Sequence, residues 1–528
     1  MRCDRAQWMP SMEQLSAYFG NFFEWYDMSL FGTFATQIGT AFFPEASTAA
    51  QMLRSFGIFW LAFATRPLGA VVFGHVGDRH GRLPVLIITI GLMWLATLGI
   101  AMLPTYESIG MMAPILLTLL RMLQGFSLGG EGGGGMTYAL ECTAPASRGR
   151  VGAQWQVAGS LGNVVANVFA AVLRATLSPQ ALASWGWRVP FYIGALVLLA
   201  GGSMRRQLRE PPSSVNDGGG RPPANPACHA IQSNGQRMLW LLLVTLLWMV
   251  YGFWATVYVP SYLTTRTPRP VESGYVIAAI MQALNMGGQL LFADLADRRA
   301  RSAEAAGRAD GEAFRIGLIS TGAAACVVAF PIASLALEHA DGPIVACACF
   351  AMAVIHSSYG ANVTAFVFGH AGRASVRLST LAIMWAVGAV AFAGTSPFIC
   401  EALRQAANGS AVAPSVYLSV CAALTLASLR LAPKVLMQVD RDAGVDDSSG
   451  RPARGFEHQS HGQSESEHRQ AASSSSSSPR VLGVDMMITG GIGGGGGGGR
   501  GVPSSSASGR SSHPRGLPQE YSHGVTAL

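Results

Sequence analysis

Three polar side chains interrupt the first apolar segment of the chain. Asn21, Glu24 and Asp27 lie within GNFFEWYDMSLFGTF, residues 20–34. On a helix of 3.6 residues per turn they fall within an arc of about 120 degrees, so one face of the segment is polar. A carboxylate near the centre of a bilayer costs about 3 kcal/mol even on a lenient insertion scale, and it is usually retained for ion or substrate movement. The pattern predicts the first membrane helix of a transporter, with a partner group on another helix.

A second polar stripe supplies a partner for these carboxylates. Arg121, Gln124 and Glu131 fall within about 80 degrees of one another on the fourth apolar segment. If the first and fourth segments enter a hydrocarbon core of about 30 Å from opposite surfaces, Asp27 and Arg121 reach similar depths. We predict that Asp27 carries the coupling proton, while Arg121 competes with that proton and holds an anionic group of the substrate. The alternative is a permanent ion pair that only orients the helices.

Other polar and aromatic side chains complete the candidate set. Glu24 is the second candidate for carrying the proton, and its alternative role is a solvated carboxylate facing a cavity. His356 is a single histidine within a predicted membrane segment, and we expect it to have a structural role in which its ring is hydrogen-bonded. Helical spacing marks further candidates for substrate binding, for which helix packing is the alternative role; they are Asn21, Gln124, Tyr26, Asn163, Tyr251, Trp254, Tyr258, Gln282 and Asn285.

The composition predicts an all-α polytopic membrane protein. Half of the 528 residues are hydrophobic and only 12% are charged, whereas a soluble domain carries about 25% charge. The net charge of +7 comes from Lys and Arg in short loops, which the positive-inside rule explains without nucleic acid. The eight cysteines are scattered, so neither a zinc site nor a disulfide framework follows.

About twelve apolar segments are long enough to cross a bilayer as helices. They are 15–42, 56–73, 84–103, 113–139, 151–176, 189–204, 239–263, 275–295, 314–337, 344–368, 378–399 and 414–431. The predicted domains are therefore a short N-terminus (1–14), two six-helix bundles (15–204 and 239–432), a central loop (205–238) and a disordered tail rich in Ser and Gly (433–528).

The charges in the loops predict an orientation. Arg residues collect in the loops on one side of the predicted membrane, which places both termini and the central loop in the cytoplasm. Asn408, in Asn-Gly-Ser, then faces outward as a possible glycosylation acceptor. We expect the plasma membrane rather than an organelle membrane, although the chain carries no address that separates them.

An internal repeat links the two predicted bundles. The first copy, GHVGDRHGR at 74–82, aligns position for position with ADLADRRAR at 293–301. Asp297, Arg298 and Arg301 match Asp78, Arg79 and Arg82, while alanines replace the glycines of the first copy. Equivalent loops indicate a duplicated bundle whose halves can rock about a central site. The missing glycines leave tight closure by the second copy in question.

The first copy resembles the signature loop of the major facilitator superfamily, and other motifs resemble its metabolite:proton symporter branch. These motifs are GN with EWYD from Gly20, RPLG from Arg66, QGFS and GGE between Gln124 and Glu131, and WGWR with PF from Trp185. The match is dense over 20–212 and thinner in the second half. The resemblance implies a twelve-helix fold and a cytoplasmic gate formed by the signature loops and nearby acids; the implied residues are Gly74, Gly77, Asp78, Arg79, Gly81, Arg82, Glu131, Glu141, Asp297, Arg298 and Arg301. Asp78 is placed to cap or face a helix terminus.

The resemblance implies secondary transport by alternating access. Members of this branch take up organic acids such as 2-oxoglutarate, shikimate, citrate or dicarboxylates, or zwitterionic osmolytes such as proline and betaine, with protons. Arg121 favours an anion. An uncoupled facilitator and a non-transporting membrane sensor with the same fold remain alternatives. No hydrolase triad or nucleotide-binding cassette is present, so we expect neither an enzyme nor a cofactor, but a monomer in the lipid bilayer that meets a small substrate and protons.

Overall fold

Long apolar helices make up nearly all of the described chain. The computed structural model describes residues 9–44, 48–210, 223–259, 262–263, 271–308, 310–339 and 342–442. Within these ranges the secondary structure is helical and no strand occurs, which confirms the predicted all-α class. Most of the predicted tail, from residue 443 onward, lies outside the described residues.

The described residues of the first half form six long helical segments and three short helices. A capping box at Ser11 and Gln14 starts the first helix, because each side chain bonds the other residue's backbone N–H. In chain order the helices are α1 (Met12–Thr33), α2 (Ala35–Phe42), α3 (Thr48–His80), α4 (Arg82–Met102), α5 (Tyr106–Ile109), α6 (Met112–Glu141), α7 (Arg148–Thr176), α8 (Pro179–Ser184) and α9 (Val189–Arg205).

The second half repeats the pattern with two interruptions. One π-helical turn, Trp254–Tyr258, follows α10, and another, Ala389–Ala393, follows α14. The helices are α10 (Pro226–Phe253), α11 (Val271–Ala305), α12 (Asp310–His339), α13 (Gly342–Gly369), α14 (Arg377–Gly388), α15 (Ser396–Ala406) and α16 (Val412–Asp442).

Ten helical segments of the described chain are long and apolar enough to cross a membrane. The other two long segments are α1 with α2, and α3. The first carries Glu24 and Asp27, and α3 carries Arg54 and Arg66. These charged side chains make both segments less apolar than the other ten. With these two segments the described chain has the twelve predicted membrane helices.

Each half packs as a bundle. In the first half α1 lies against α7, and α6 lies between α3 and α4; in the second half α16 packs on α10 and α12, and α13 packs on α11 and α12. Glycines allow the closest of these approaches, since a Cβ on Gly129 of α6 would lie 2.5 Å from the backbone nitrogen of Ala70 on α3. The halves meet where α14 crosses α3 and α6, and where α7 crosses α11 and α13.

Several predicted segment boundaries differ from the structure, and two of the differences change the order of elements. The first segment breaks at Phe34, between α1 and α2. The seventh begins at Pro226 rather than near residue 239, so part of the predicted central loop is helical. Proline suits the first turn of a helix, and the added turns bury Asn234 and Arg237 against the start of α14. The boundaries predicted for the two bundles as domains stay a prediction.

Candidate functional site

Asp27 and Arg121 meet inside the first half. The Nη1 of Arg121 lies 2.8 Å from the Oδ2 of Asp27, and both side chains are buried. The Nε2 of Gln124 donates to the Oδ1 of Asp27 at 2.9 Å and to the hydroxyl of Thr97 at the same distance. The guanidinium of Arg121 also lies over the ring of Phe31, 4.1 Å from its centroid. The predicted juxtaposition is present, whereas the proton-carrying role of Asp27 stays a prediction.

Glu24, one turn along α1 from Asp27, binds a different arginine. The Nη1 of Arg66 on α3 lies 2.8 Å from the Oε1 of Glu24. The same guanidinium lies over the ring of Phe63 at 4.7 Å from the centroid. We did not predict Arg66 as a site residue, although an arginine within an apolar segment, directly before Pro67, was a usable signal.

A cavity lies between the two halves, and one of these two ion pairs lines it. Glu24 and Arg66 line it, whereas Asp27, Arg121 and Gln124 do not. From the first half it is also lined by Asn21, Trp25, Met28, Phe63, Gln156, Ser160 and Asn163. From the second half it is lined by Trp248, Met249, Tyr251, Gly252, Phe253, Thr256, Gln282, Asn285, Gln289, His356, Trp385, Ala389 and Ala393.

Six of the residues predicted for proton or substrate binding therefore reach the cavity: Asn21, Glu24, Asn163, Tyr251, Gln282 and Asn285. The amide of Asn21 also donates to the backbone oxygen of Trp155 at 2.6 Å, and Asn163 accepts from the hydroxyl of Ser29. Both contacts tie α1 to α7, so these two asparagines have the packing role alongside their place in the cavity wall.

Arg121 and Gln124, which were predicted to contact substrate, do not line the cavity in this conformation. Both side chains are fully buried within the first half and are engaged with Asp27. The helical arc placed them on the inner face of α6, but α1 and α4 cover that face, so the cavity begins beyond α1. Among the described residues that line the cavity, Arg66 is the arginine.

Tyr26 also points away from the cavity. Its hydroxyl donates to the backbone oxygen of Pro190 at 2.9 Å, and its ring packs at Gly194 of α9. Tyr26 follows Trp25, which lines the cavity, and adjacent positions on a helix face different directions. Tyr26 therefore does not line the cavity in this conformation, and its contact with a substrate stays a prediction.

Trp254 and Tyr258 do not line the cavity that Tyr251 reaches. Trp254 contacts the ring of Tyr251 and packs edge-on against Phe330, and Tyr258 lies near Tyr262. The π-helical turn Trp254–Tyr258 changes the angular spacing within it, so a repeat of 3.6 residues cannot be extended from Tyr251 to Tyr258. Contact of Trp254 and Tyr258 with a substrate stays a prediction.

Glu131, which the resemblance places in the cytoplasmic gate, pairs with an arginine outside the signature loop. Its carboxylate binds Arg205 of α9 and accepts from the hydroxyl of Thr89 at 2.6 Å. All three side chains are buried inside the first half, where the missing Cβ of Gly20 leaves room for the carboxylate. The arginine of the signature loop uses Glu141 instead, with Arg82 Nε lying 3.0 Å from Glu141 Oε2.

The first signature loop contacts the second half at a helix N-terminus. Asp78 accepts backbone N–H groups from Leu378 at 3.1 Å and Ser379 at 2.8 Å. Both belong to the first turn of α14, where N–H groups lack helical partners and favour a negative charge. Burial raises the pKa of the Asp78 carboxyl to about 6, against the opposing effects of Arg82 and of the hydrogen bonds from Ser379 and Leu378. We call this end of the molecule the signature-loop side.

Further contacts on the signature-loop side join the first half to α14. Arg377 of α14 lies 3.2 Å from Glu141, which adds an ion pair between the halves. A Cβ on Gly74 would lie 2.8 Å from the Cα of Ser379, and Gly77 likewise faces Leu378. Gly81 has φ +102, a conformation that favours glycine, at the turn into α4. Arg79 is exposed.

The second loop makes the matching contact despite its alanines. Asp297 accepts backbone N–H groups from Gly149 at 3.1 Å and Arg150 at 2.8 Å, in the first turn of α7. Arg315 of α12 also donates to Asp297 at 3.0 Å. Arg301 donates at 3.4 Å to the backbone oxygen of Ala146, and Arg298 is exposed and pairs with Asp294.

Gln156 lines the cavity and joins the two halves, and the sequence analysis missed it. Its Nε2 donates to the backbone oxygen of Gly360 at 2.8 Å and to the hydroxyl of Thr364 at 2.6 Å. The Nε1 of Trp248 donates to its Oε1 at 2.5 Å. One side chain of the first half thus binds α10 and α13 of the second, but a single glutamine in a polar helix gives no signal of this.

Comparison with known proteins identifies the family. The family model of the Major Facilitator Superfamily matches residues 17–393. The chain belongs to this superfamily. It is 30% identical over 408 residues to a Staphylococcus aureus protein named "Putative proline/betaine transporter", covering 76% of this chain and 83% of the relative. It is 29% identical over 388 residues to the alpha-ketoglutarate permease of Escherichia coli, covering 73% of this chain and 85% of the permease.

A solved structure supports the same fold. The proton:xylose symporter XylE superposes with a TM-score of 0.65 at 15% identity, over 80% of this chain and 95% of XylE. The major facilitator superfamily member described here is therefore a polytopic transporter of small molecules, and the predictions of the superfamily, the fold and a non-enzymatic function are confirmed.

Proposed function

We propose that this superfamily member is a secondary active transporter that takes up a small zwitterion together with a proton. Two relatives carry names that refer to proline/betaine and to alpha-ketoglutarate, so the relatives alone leave a zwitterion and a dicarboxylate open. The charge of the cavity favours the zwitterion.

The observation that carries this choice is the Glu24–Arg66 pair. Within the described chain, these are the charged residues among those lining the cavity, and their charges cancel. A dicarboxylate would bring two negative charges to one arginine that is already paired, and an uncompensated buried charge is costly. A zwitterion brings one charge of each sign, so its carboxylate can bind Arg66 and its cationic group can meet Glu24 or an aromatic face.

Aromatic rings provide the second support. The cavity is lined by Trp25, Phe63, Trp248, Tyr251, Phe253 and Trp385. Faces of Trp, Tyr and Phe attract cationic ligands, including substituted ammonium groups, and a desolvated contact is worth about 2 kcal/mol. The same ring faces provide no comparable attraction for the second carboxylate of a dicarboxylate.

Asp27 is the proposed proton carrier, separate from the substrate. Its carboxylate is shielded from the cavity and held by Arg121, Gln124 and Thr97. Protonation cancels the attraction to Arg121 and frees α1 from α6. Because Glu24 lies one turn away on α1, that movement changes the Glu24–Arg66 pair in the cavity wall. Proton binding and substrate binding are thereby coupled through one helix.

We propose that the contacts of both signature loops and of Gln156 close one side of the cavity in this conformation. This side faces the cytoplasm in the proposal, in agreement with the loop charges, and the protein acts as a monomer in the plasma membrane. Substrate then enters from outside, and the closed contacts break when the halves rock. Glycosylation at Asn408, an exposed residue in the turn after α15, stays a prediction.

Transport by purified protein in liposomes tests this function. Radiolabelled proline, glycine betaine, 2-oxoglutarate and citrate are offered at two external pH values, with and without a proton ionophore. We expect a zwitterion to accumulate at low external pH and the ionophore to abolish the accumulation. Accumulation of a dicarboxylate alone would overturn the zwitterion assignment, and uptake unaffected by pH and ionophore would identify a facilitator.

An arginine variant tests the role of Arg66. Lysine lacks the planar pair of donors that binds a carboxylate, so Arg66→Lys should raise the concentration for half-maximal uptake by about tenfold or more. The matched control is Arg54→Lys, because Arg54 is an exposed residue of the same helix and lies outside the cavity. Equal effects of the two substitutions would contradict the assignment.

A further inference from the structure

Three buried polar atoms of the second half line the cavity without a hydrogen-bond partner. They are the hydroxyl of Tyr251, the Nε2 of His356 and the Oε1 of Gln289. The relative exposures of these side chains are 2%, 1% and 3%. Buried polar atoms nearly always have a partner, and exceptions that collect in one place ask for an explanation. A ligand that enters the cavity can supply the missing partner.

The three groups form one contiguous surface. The ring of Tyr251 stacks on that of His356, with centroids 3.5 Å apart and planes tilted by 12°. A Cβ placed on Gly360 would lie 3.3 Å from both the Cε1 of His356 and the Nε2 of Gln289, so these two side chains meet above that glycine. We call Tyr251, His356 and Gln289 the acceptor cluster.

The hydrogen-bonding chemistry of the acceptor cluster follows from Asn285, which contacts His356. The Nδ1 of His356 lies 3.2 Å from the Oδ1 of Asn285. A carbonyl oxygen only accepts, so Nδ1 carries the hydrogen in this contact and the neutral ring presents Nε2 as an acceptor. The Oε1 of Gln289 is also an acceptor, and a tyrosine hydroxyl can accept as well as donate. The cluster therefore suits a group that donates several hydrogen bonds.

The first half offers the complementary chemistry in the same cavity. Arg66 provides donors for a carboxylate, and the acceptor cluster lies on the opposite wall, on α10, α11 and α13. Resting on the proposed transport of zwitterions, we propose that the cluster binds an ammonium group that bears N–H bonds, so that the transporter prefers amino or imino acids to quaternary ammonium compounds. A bound amino acid then bridges the two halves, with its carboxylate on one and its N–H groups on the other.

A methylation series of one ligand tests this preference directly. Proline has two N–H bonds on its nitrogen, N-methylproline has one and N,N-dimethylproline has none, while the ring and the carboxylate stay the same. Each lost hydrogen bond to a charged donor should weaken binding by about tenfold. We expect competition against radiolabelled proline on the purified transporter to give this order of affinities.

Two variants locate the effect in the acceptor cluster. His356→Phe keeps a ring stacked on Tyr251 but removes Nε2, and Gln289→Leu removes Oε1. Each should reduce the ratio of affinities between proline and N,N-dimethylproline by about tenfold. The matched control is Asn163→Leu, which alters the first-half wall of the same cavity and should weaken all three compounds by one common factor.

The outcomes separate this inference from the proposed function. If proline and N,N-dimethylproline bind equally to the unchanged protein and both accumulate with protons, the acceptor cluster does not select N–H groups, but the zwitterion transport stands. If neither these compounds nor any other zwitterion of the panel is transported, the proposed function itself fails. If a variant does not fold, the series on the unchanged protein and on the other variant decides.

Discussion

The two halves present different chemistry to the cavity. The described first half contributes the charged Glu24–Arg66 pair and buries further carboxylate–arginine pairs, among them Asp27–Arg121 and Glu131–Arg205. In the described part of the second half, the side chains that line the cavity are neutral, and the buried pair of Asp297 with Arg315 is not among them. The duplicated fold therefore suits the two proposed roles, with ionic groups that can respond to a proton in one half and hydrogen-bonding groups that can recognise a substrate in the other.

The two signature loops, by contrast, make equivalent contacts. Asp78 binds the N-terminus of α14 and Asp297 binds that of α7. The first loop brings its own glycines to this contact, whereas the second faces Gly149 on the partner helix. A close crossing needs small residues at the contact, and either helix can provide them. The alanines of the second loop thus do not prevent closure on that side.

The largest expected effect is on uphill uptake, and it distinguishes Asp27 from the other carboxylates of the first half. Cotransport of a zwitterion with one proton moves one charge, and 100 mV then supports about fifty-fold accumulation. Asp27→Asn should reduce this to about unity because an amide cannot carry the proton, while exchange of labelled for unlabelled substrate continues. Uptake in liposomes with an imposed potential measures both.

Glu131→Gln is the matched control for Asp27→Asn. Glu131 is held by Arg205 and Thr89 away from the cavity, so uphill uptake should persist in this variant. If Asp27→Asn accumulates substrate normally and Glu131→Gln does not, the proton carrier has been assigned to the wrong carboxylate.

The next effect compares a buried ion pair with an exposed one. Arg205→Met leaves Glu131 charged and unpaired inside the first half, which should lower the free energy of unfolding by about 3–5 kcal/mol. Arg298→Met removes an ion pair to Asp294 from an arginine that is 68% exposed, and should cost less than about 1 kcal/mol. Thermal unfolding of the purified variants measures the difference.

A double variant checks the cause of the loss in Arg205→Met. Adding Glu131→Gln removes the unpaired charge, so stability should largely return. If the double variant is as unstable as Arg205→Met, packing rather than charge explains the loss.

A smaller effect tests the equivalence of the two signature loops. Asp78→Asn and Asp297→Asn each remove a negative charge from a helix N-terminus, worth about 1 kcal/mol, or about fivefold in the population closed on the signature-loop side. Labelling of single cysteines placed on that side reports the open population. A shift from only one of the two variants would show that one loop alone holds the molecule closed.

The smallest effect concerns the glycine on the partner helix. A Cβ on Gly149 would lie 2.5 Å from the Oδ1 of Asp297, so Gly149→Ala should favour the open signature-loop side by a few-fold. Gly91→Ala is the matched control because nothing lies within 4 Å of its added Cβ. Equal labelling rates in the two variants would show that the contact adjusts at no cost.

The sequence by itself determined the features that depend on local pattern. Apolar length gave the membrane helices, the repeated Asp-Arg motif gave the two signature loops, and helical periodicity was sufficient to bring Asp27 and Arg121 together. Each of these follows from residues close in sequence or from a regular repeat of 3.6 residues.

Only the tertiary structure decided which groups line the cavity and which groups pair with one another. Packing of α1 and α4 over α6 separated Arg121 from the cavity and left Arg66 there, and α9 supplied Arg205 to Glu131. A π-helical turn changed the angular spacing between Trp254 and Tyr258. Periodicity ranks residues around one helix, but the neighbour that covers each face is set by the packing of the whole bundle. The cavity and its charge balance therefore depend on both halves together, and the acceptor cluster depends on the packing of α10, α11 and α13 in the second half.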